Sequence, residues 1–404
     1  MIGNIVPTVR IGYIWARPIP SRETDTQQAM KTVDALAAEG AEVDLIVPES
    51  RRMRAGGLAA FEAELRAFYS LRAPLRLVPV RGVEPGRFEI ERPVHSLLAS
   101  ARLARGRYDA IYSRSRSTTV LCALRGEPTV FETYRLLGKD NPAFVRGLAA
   151  LARRPNLLGV ITHSQLSADS LARAGFPQRK LATVHNGYDP EDLQPVLTRE
   201  AARAELRLDG DRILCCYTGH VRARKGMTAL LETAALAPEV EFLIAGGNPE
   251  DVAALAAECK RRLLLNVRLL GWRPAAQLRP LLYAADVLII PPSQVPLHEF
   301  GRTVLPMKIF TYLAAGRPIV APDLPDLAEV LAHERTALLV PPDDAQAAAH
   351  AIRRIARDDR LAAALARGAL DRSSGLTWRA RARKIIAQIE TWRASQPSPG
   401  TPPP

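Results

Sequence analysis

"RILCCYTGHVRARKGMTALLETAA", Arg212 to Ala235, joins an apolar run, a glycine, four basic or imidazole side chains and a helix-period segment. The run Arg212–Tyr217 reads as a buried strand, and the segment from about Gly226 reads as a helix. Between them Gly219 permits a tight turn, while His220, Arg222, Arg224 and Lys225 supply charge. In open parallel sheets, ligands gather beyond the carboxyl ends of strands, where backbone N–H groups and helix N-termini face anions. A diphosphate suits cations in that place, arginine as a fork and lysine as a point charge.

The same alternation extends to either side. Upstream, Arg10–Trp15, Val43–Val47, Leu75–Val80, Tyr108–Tyr112, Pro128–Phe131 and Leu158–Thr162 read as strands separated by helical patterns. Downstream, Val240–Ala245, Val267–Leu270, Asp286–Ile290, Arg317–Ala321 and Thr336–Pro341 continue the series. Strands alternating with helices imply parallel α/β sheets. "HNGYDPEDLQPVLTRE", His185 to Glu200, is rich in turn formers and marks a boundary. The expected domains are 1–190 and 191–376, followed by an amphipathic helix over 377–394 that carries Trp378, Ala382, Ile385, Ile389 and Trp392 and is expected to pack back on the first domain. The tail 395–404, "SQPSPGTPPP", has the composition of a disordered segment.

A length of 404 residues fits two domains. With 47% hydrophobic and 24% charged residues, the balance is that of a soluble globular protein. The net charge of +13 favours anionic partners. Its basic residues are dispersed and no aromatic stacking face accompanies them, which argues against nucleic acid. Four cysteines without C-x-x-C spacing fit a reducing cytoplasm, and no apolar run reaches the ~20 residues of a membrane span. "FVRGLAALARRP", Phe144 to Pro155, combines apolar and basic residues that would suit either an anionic membrane surface or a core-facing helix. "DGD", Asp209 to Asp211, precedes a strand and reads as a turn, so no metal site is expected.

Two further stretches end near the ligand edge. "IAGGNPEDVAALA" places Gly246 and Gly247 between a strand and a helix without the spaced glycines of a dinucleotide fingerprint. "EFGRTVLPMKIFTYLAAGRPIVAPDLPDLAEVL" predicts a helix over Thr303–Ala315, closed by Gly316, on which Lys308 would reach a phosphate.

Taken in order, these phrases resemble glycosyltransferase family 4, retaining enzymes of GT-B architecture, in a bacterial branch. "YTGHVRARKG" is similar to that branch's glycine, histidine and lysine-glycine loop, and "LPMKIFTYLAAGRPIVAPDLP" to its lysine-bearing helix. "IGYIWARPIPSRETDTQQAMKTVDALAAEGAEVDLIVP" and "VITHSQLSADSLARAGFPQRKLATVHNGYD" match in order too. The resemblance implies two Rossmann-like domains facing a cleft, the C-terminal one holding a nucleotide-diphospho-sugar and the N-terminal one an acceptor. Gly219, His220 and Lys225 would face the diphosphate, Lys225 stabilising the leaving nucleotide, with Arg222 and Arg224 as additional cations. Gly246, Gly247, Met307 and Lys308 would complete the donor side.

Thr303 and Thr311 stand where relatives usually carry two glutamates, so Glu299 is the candidate for the sugar contact. Arg17, Ser21, Glu132, Tyr134 and His163 would lie on the acceptor side, Tyr134 and Arg135 occupying the neighbourhood where many relatives have a histidine. The implied reaction is hexosyl transfer without cofactor or essential metal, the nucleotide sugar being co-substrate. It would take place in the cytoplasm or at the inner face of a membrane. Two other readings of the same residues are a non-catalytic partner subunit and a GT-B sugar-nucleotide epimerase.

Overall fold

Short apolar runs become two parallel sheets in the computed structural model, which describes residues 9–81, 91–103, 106–208, 212–298 and 305–396. Glu299, Thr303, the Asp209–Asp211 turn and the tail from Pro397 lie outside the described residues. Strands β1 (Arg10–Ile14), β2 (Glu42–Pro48), β3 (Arg76–Val80), β4 (Ala110–Ser113), β5 (Thr129–Thr133), β6 (Leu157–Thr162) and β7 (Leu181–Thr183) form a sheet of order β3-β2-β1-β4-β5-β6-β7. Strands β8 (Ile213–Thr218), β9 (Val240–Ala245), β10 (Val267–Gly271), β11 (Val287–Ile289), β12 (Ile319–Pro322) and β13 (Leu338–Val340) form a second, β10-β9-β8-β11-β12-β13. β4, β5, β6, β11 and β12 are buried along their whole length, which is why they read as continuous apolar runs rather than alternating ones. β7 escapes that reading because it is three half-buried residues at a sheet edge.

Strand order reverses between β1 and β4 in the first sheet and between β8 and β11 in the second. Those switch points are where a parallel sheet opens a crevice at its carboxyl edge. The chain divides into two units, one made of residues up to Asn186 together with those from Trp378 on, the other of Gly187–Thr377.

The helix Trp378–Ala394 therefore packs in the first unit, against the helix Thr24–Ala38 and β6. Gly159, inside β6, makes room for it: a Cβ there would lie 2.4 Å from the Trp392 ring. The Trp392 indole donates to the Arg179 carbonyl at 3.2 Å.

One expectation changes, and one open pair of readings resolves toward the core. The helix that bears Lys308 spans Lys308–Ala314, so it begins at Lys308 and not at Thr303. The helix Pro142–Leu151 turns Val145 and Leu148 into a core with Phe131 and Leu171, and Phe144 and Leu151 pack against that core. Its apolar side is thus spent inside the protein and is not offered to a membrane. Among the described residues no helix is long and apolar enough to cross one.

Candidate functional site

In the second unit the site is built from two glycine turns. β8 ends at Thr218, and Gly219 adopts φ 137°, a conformation that L side chains rarely take. The Gly219 amide donates to the Ala245 carbonyl at 2.8 Å, and the Gly246 amide to the Gly271 carbonyl at 2.7 Å. A Cβ on Gly246 would stand 2.1 Å from the Gly219 oxygen, so the turn after β9 buttresses the turn after β8. Gly247 has the same function toward Val221, whose side chain would lie 2.4 Å from an added Cβ.

The Tyr217 hydroxyl donates to the His220 carbonyl at 2.7 Å and ties the loop back to its strand. A short 3₁₀ turn, Ala223–Lys225, carries Lys225 to the start of the helix Met227–Leu236. Gly226, at φ 80°, packs against Pro291 and Ser293 beyond β11.

The helix Lys308–Ala314 meets this loop. Its Tyr312 is fully buried and its hydroxyl accepts from the Thr218 amide at 2.8 Å, anchoring the helix to the end of β8. One turn earlier, Lys308 places Nζ 3.5 Å from the centroid of the Tyr217 ring. A Cβ at position 219 would sit 2.6 Å from that Nζ, so the lysine tip would have to move aside. Burial, and then the Lys225 charge, push the Lys308 amine well below its usual value.

Among the described residues Lys308 makes no ion pair. Arg222, by contrast, is engaged by Asp251 at 3.0 Å, which offsets its charge, while Arg224 has a buried Nε without a hydrogen-bond partner among the described residues. Met307 and Thr311 are half-buried, just before and within the same helix.

In the first unit the expected acceptor residues separate into two groups. Glu132 and His163 are buried and bonded to each other, so neither is displayed to a ligand. Gln28 Nε2 donates to Glu132 at 2.8 Å, and Arg381, from the C-terminal helix, donates at 2.7 Å. The Arg381 charge holds the Glu132 carboxyl well below the usual carboxylate range, against its burial. Burial lowers the His163 imidazole to about 4, which leaves it neutral at physiological pH. Nε2 faces a carboxylate that can only accept, so Nε2 carries the proton and Nδ1 accepts from Asn186 at 3.4 Å.

Tyr134 stacks on His163 with centroids 5.9 Å apart and receives the Arg114 guanidinium 5.1 Å above its ring. Arg17 is paired with Asp25 at 2.6 Å. Ser21 is different: the Tyr69 hydroxyl donates to its carbonyl at 3.0 Å and accepts from its amide at 2.6 Å. Ser21 lines a cavity of about 470 Å³ at the carboxyl edge of β1 and β2, with Arg22, Arg51, Arg52 and Phe68 in its wall.

Sequence reasoning finds the basic loop and Lys308 but misses the tyrosines that position them. Tyr217 and Tyr312 look like core residues, and their only signal is a hydroxyl within an apolar run. Arg381 had a clearer one, since a charge occupies the buried stripe that runs through Trp378, Ile385 and Ile389.

Two family models cover most of the chain: Glycosyltransferase Family 4 matches residues 27–192, and Glycosyl transferases group 1 matches residues 212–358. Among curated relatives, the D-inositol 3-phosphate glycosyltransferase of Streptomyces avermitilis is 27% identical over 310 residues, 68% of this chain and 63% of that protein. A namesake from Catenulispora acidiphila is 26% identical over 322 residues, 75% of this chain and 72% of its own. The chain thus aligns with less than two thirds of the first relative's length.

The Anabaena protein HepE, solved with UDP and glucose, superposes with a TM-score of 0.70 at 18% identity, over 95% of this chain and 99% of that one. Sucrose-phosphate synthase of Thermosynechococcus elongatus gives a TM-score of 0.75 at 20% identity, over 96% and 100%. These likenesses establish the fold as GT-B, two α/β units each built on a parallel sheet. With residues 27–192 matched by Glycosyltransferase Family 4 and residues 212–358 by Glycosyl transferases group 1, the chain belongs to glycosyltransferase family 4.

Proposed function

We propose that the protein transfers a hexose from a nucleotide-diphospho-sugar to an acceptor, with retention of anomeric configuration. The observation that carries this reading is the convergence of Lys225 and Lys308 beside the Gly219 turn, Lys308 making no ion pair among the described residues. Charge concentrated at the carboxyl edge of a parallel sheet suits a diphosphate. HepE, which shares the fold, was solved with UDP and with UDP-glucose.

In the reaction the bond between the anomeric carbon and the diphosphate breaks as a bond to the acceptor oxygen forms on the same face. The acceptor proton passes to the departing phosphate oxygen. Lys225 stabilises the charge growing on that phosphate, a contribution largest where water is excluded. These cations supply the compensation a divalent ion would otherwise give, so the reading invokes no metal. Four buried cysteines, all unpaired, fit work in a reducing cytoplasm.

The cavity beside Ser21 supports an acceptor that carries an anionic group. Arg22 comes from the loop after β1, Arg51 and Arg52 from the turn of helix after β2, and Phe68 offers an apolar face. Arg52 pairs with Glu64, also in the cavity wall, at 2.6 Å. Several relatives are named for an acceptor that is a polyol phosphate.

Calorimetric titration with UDP, GDP, ADP, TDP and their sugar conjugates tests the donor side. One base is expected to bind selectively, and Lys225→Ala to weaken it by roughly 10- to 100-fold with the fold intact, the value of one charge-assisted contact. Absence of binding to every nucleotide would turn the reading toward a non-catalytic partner subunit. Unchanged affinity in the variant would remove Lys225 from the site.

A further inference from the structure

Two turns at the amino edge of the second sheet carry side chains that the fold does not use. The helix Pro249–Arg261 runs out into Leu263, whose φ is 55°. The Leu263 amide donates to the Lys260 carbonyl at 3.1 Å and the Leu264 amide to the Cys259 carbonyl at 3.0 Å, the paired bonds of a Schellman turn. Glycine usually fills the left-handed place in that turn, because a Cβ is disfavoured there. Here it is held by a leucine, 83% exposed, and Leu265 is 97% exposed. Leu264, between them, packs against the core. Asn266 fixes the arrangement: its Nδ2 donates to the carbonyls of Ala234, Ala237 and Val240 at 2.9, 3.0 and 3.0 Å. The turn before β10 is thus bound to the turn before β9, where Leu236 is also exposed.

Cations surround these leucines. Lys260, Arg261 and Arg262 directly precede Leu263. Glu258 is shared by both arginines, Glu232 stands 4.0 Å from Arg262, and Lys260 has no ion pair among the described residues. Beside Leu236, Arg353 pairs with Glu239 at 2.6 Å and donates to the Leu236 carbonyl, and Arg357 adds a second charge near the same carboxylate. Arg268, in β10, is 3.6 Å from Glu241. Among the described residues of the two turns, cations therefore outnumber carboxylates.

We propose that this edge docks on the surface of an anionic phospholipid bilayer, with Leu263 and Leu265 entering among the acyl chains and Lys260, Arg261 and Arg262 meeting the headgroup phosphates. A stable protein interface buries about 800 Å² per partner around a core depleted of lysine. These leucines stand instead at the tip of one turn within a ring of positive charge, a shape that suits a bilayer because lipid needs no complementary hollow to receive it. The inference is independent of the donor reading. The Gly219 turn lies at the opposite, carboxyl edge of the same sheet, separated by the six residues of β9, roughly 20 Å.

The experiment is co-sedimentation of the full chain with vesicles of phosphatidylcholine alone and of phosphatidylcholine mixed with phosphatidylglycerol, at low and at high salt. Wild type is expected to pellet with the anionic vesicles at low salt, and several-fold less with neutral vesicles or at high salt. Leu263→Gly places glycine where the backbone favours it, so this variant is expected to resist urea at least as well as wild type while partitioning roughly tenfold less. Leu265→Ser removes a side chain that already stands in water, and is expected to lose as much partitioning with the fold unchanged. Both variants are expected to bind nucleotide sugars as wild type does.

Failure of wild type to pellet with anionic vesicles overturns the proposal. Partitioning that persists unchanged in the double variant Leu263→Gly/Leu265→Ser belongs to another surface and overturns it too. Self-association of wild type that the double variant abolishes, without vesicle binding, overturns it in favour of a second copy of this chain.

Discussion

Gly246 shows how closely the donor loop is machined: it touches no cation, yet an added methyl would enter the Gly219 carbonyl at 2.1 Å, and its φ of 128° already disfavours a side chain. Gly246→Ala is therefore expected to displace the Gly219 turn and lower nucleotide affinity by more than tenfold. Titration of the folded variant against wild type checks this, and retained affinity would mean that the turn after β9 does not support the loop. Both glycines are visible in the sequence as turn formers. That one packs on the other is not, because the contact depends on β8 and β9 being paired in register, Thr218 opposite Ala245. Lys308 was legible for the same reason that Gly219 was, its place after a strand or before a helix. That no carboxylate pairs with it among the described residues was not, since that is a property of neighbours drawn from several segments.

The C-terminal helix was plain in outline, because Trp378, Ala382, Ile385, Ile389 and Trp392 keep a helical period and all are buried. What the period hides is that Arg381 shares the stripe and is 3% exposed. Its guanidinium answers Glu132 at 2.7 Å and Thr32 Oγ1 at 3.3 Å. Arg381→Met should leave Glu132 buried and uncompensated at a cost of about 3–5 kcal/mol. Urea denaturation of Arg381→Met, Glu132→Gln and the double variant would show it: the double is expected to lose less than Arg381→Met alone, and simple additivity would deny the coupling. At the other end of the readable range, the sequence predicts a longer helix around Lys308 than the seven residues it forms. Apolar periodicity continues upstream of Lys308, and periodicity cannot tell a helix from an extended approach to one.

Across the whole chain, the order of strands was readable and the way the units are composed was less so. Turn formers near Asp189 locate a passage between units, but the return of the last helix to the first unit leaves no mark in local composition. Stability should respond to acid through two histidines that are buried among the described residues, His95 and His163, each lowered by burial to about 4. In the unfolded chain they titrate near the ordinary value of about 6.5. Between about pH 6.5 and 4 the unfolded state thus binds more protons, and stability present above that window is lost as pH falls through it, by at most ~3 kcal/mol per histidine. Glu132, held low, adds its own loss only at still more acid pH. Denaturation midpoints at several pH values check the sign, and His163→Gln should flatten the slope; a midpoint constant down to about pH 4 would contradict it.

The discontinuity of the first unit also has a consequence for the order in which the molecule can be completed. A ribosome releases Glu132 long before Arg381, and all of Gly187–Thr377 is made in between. The second unit possesses every one of its strands while the first still holds a carboxylate with no guanidinium to meet it. The later-made segment is the one that closes the earlier-made one.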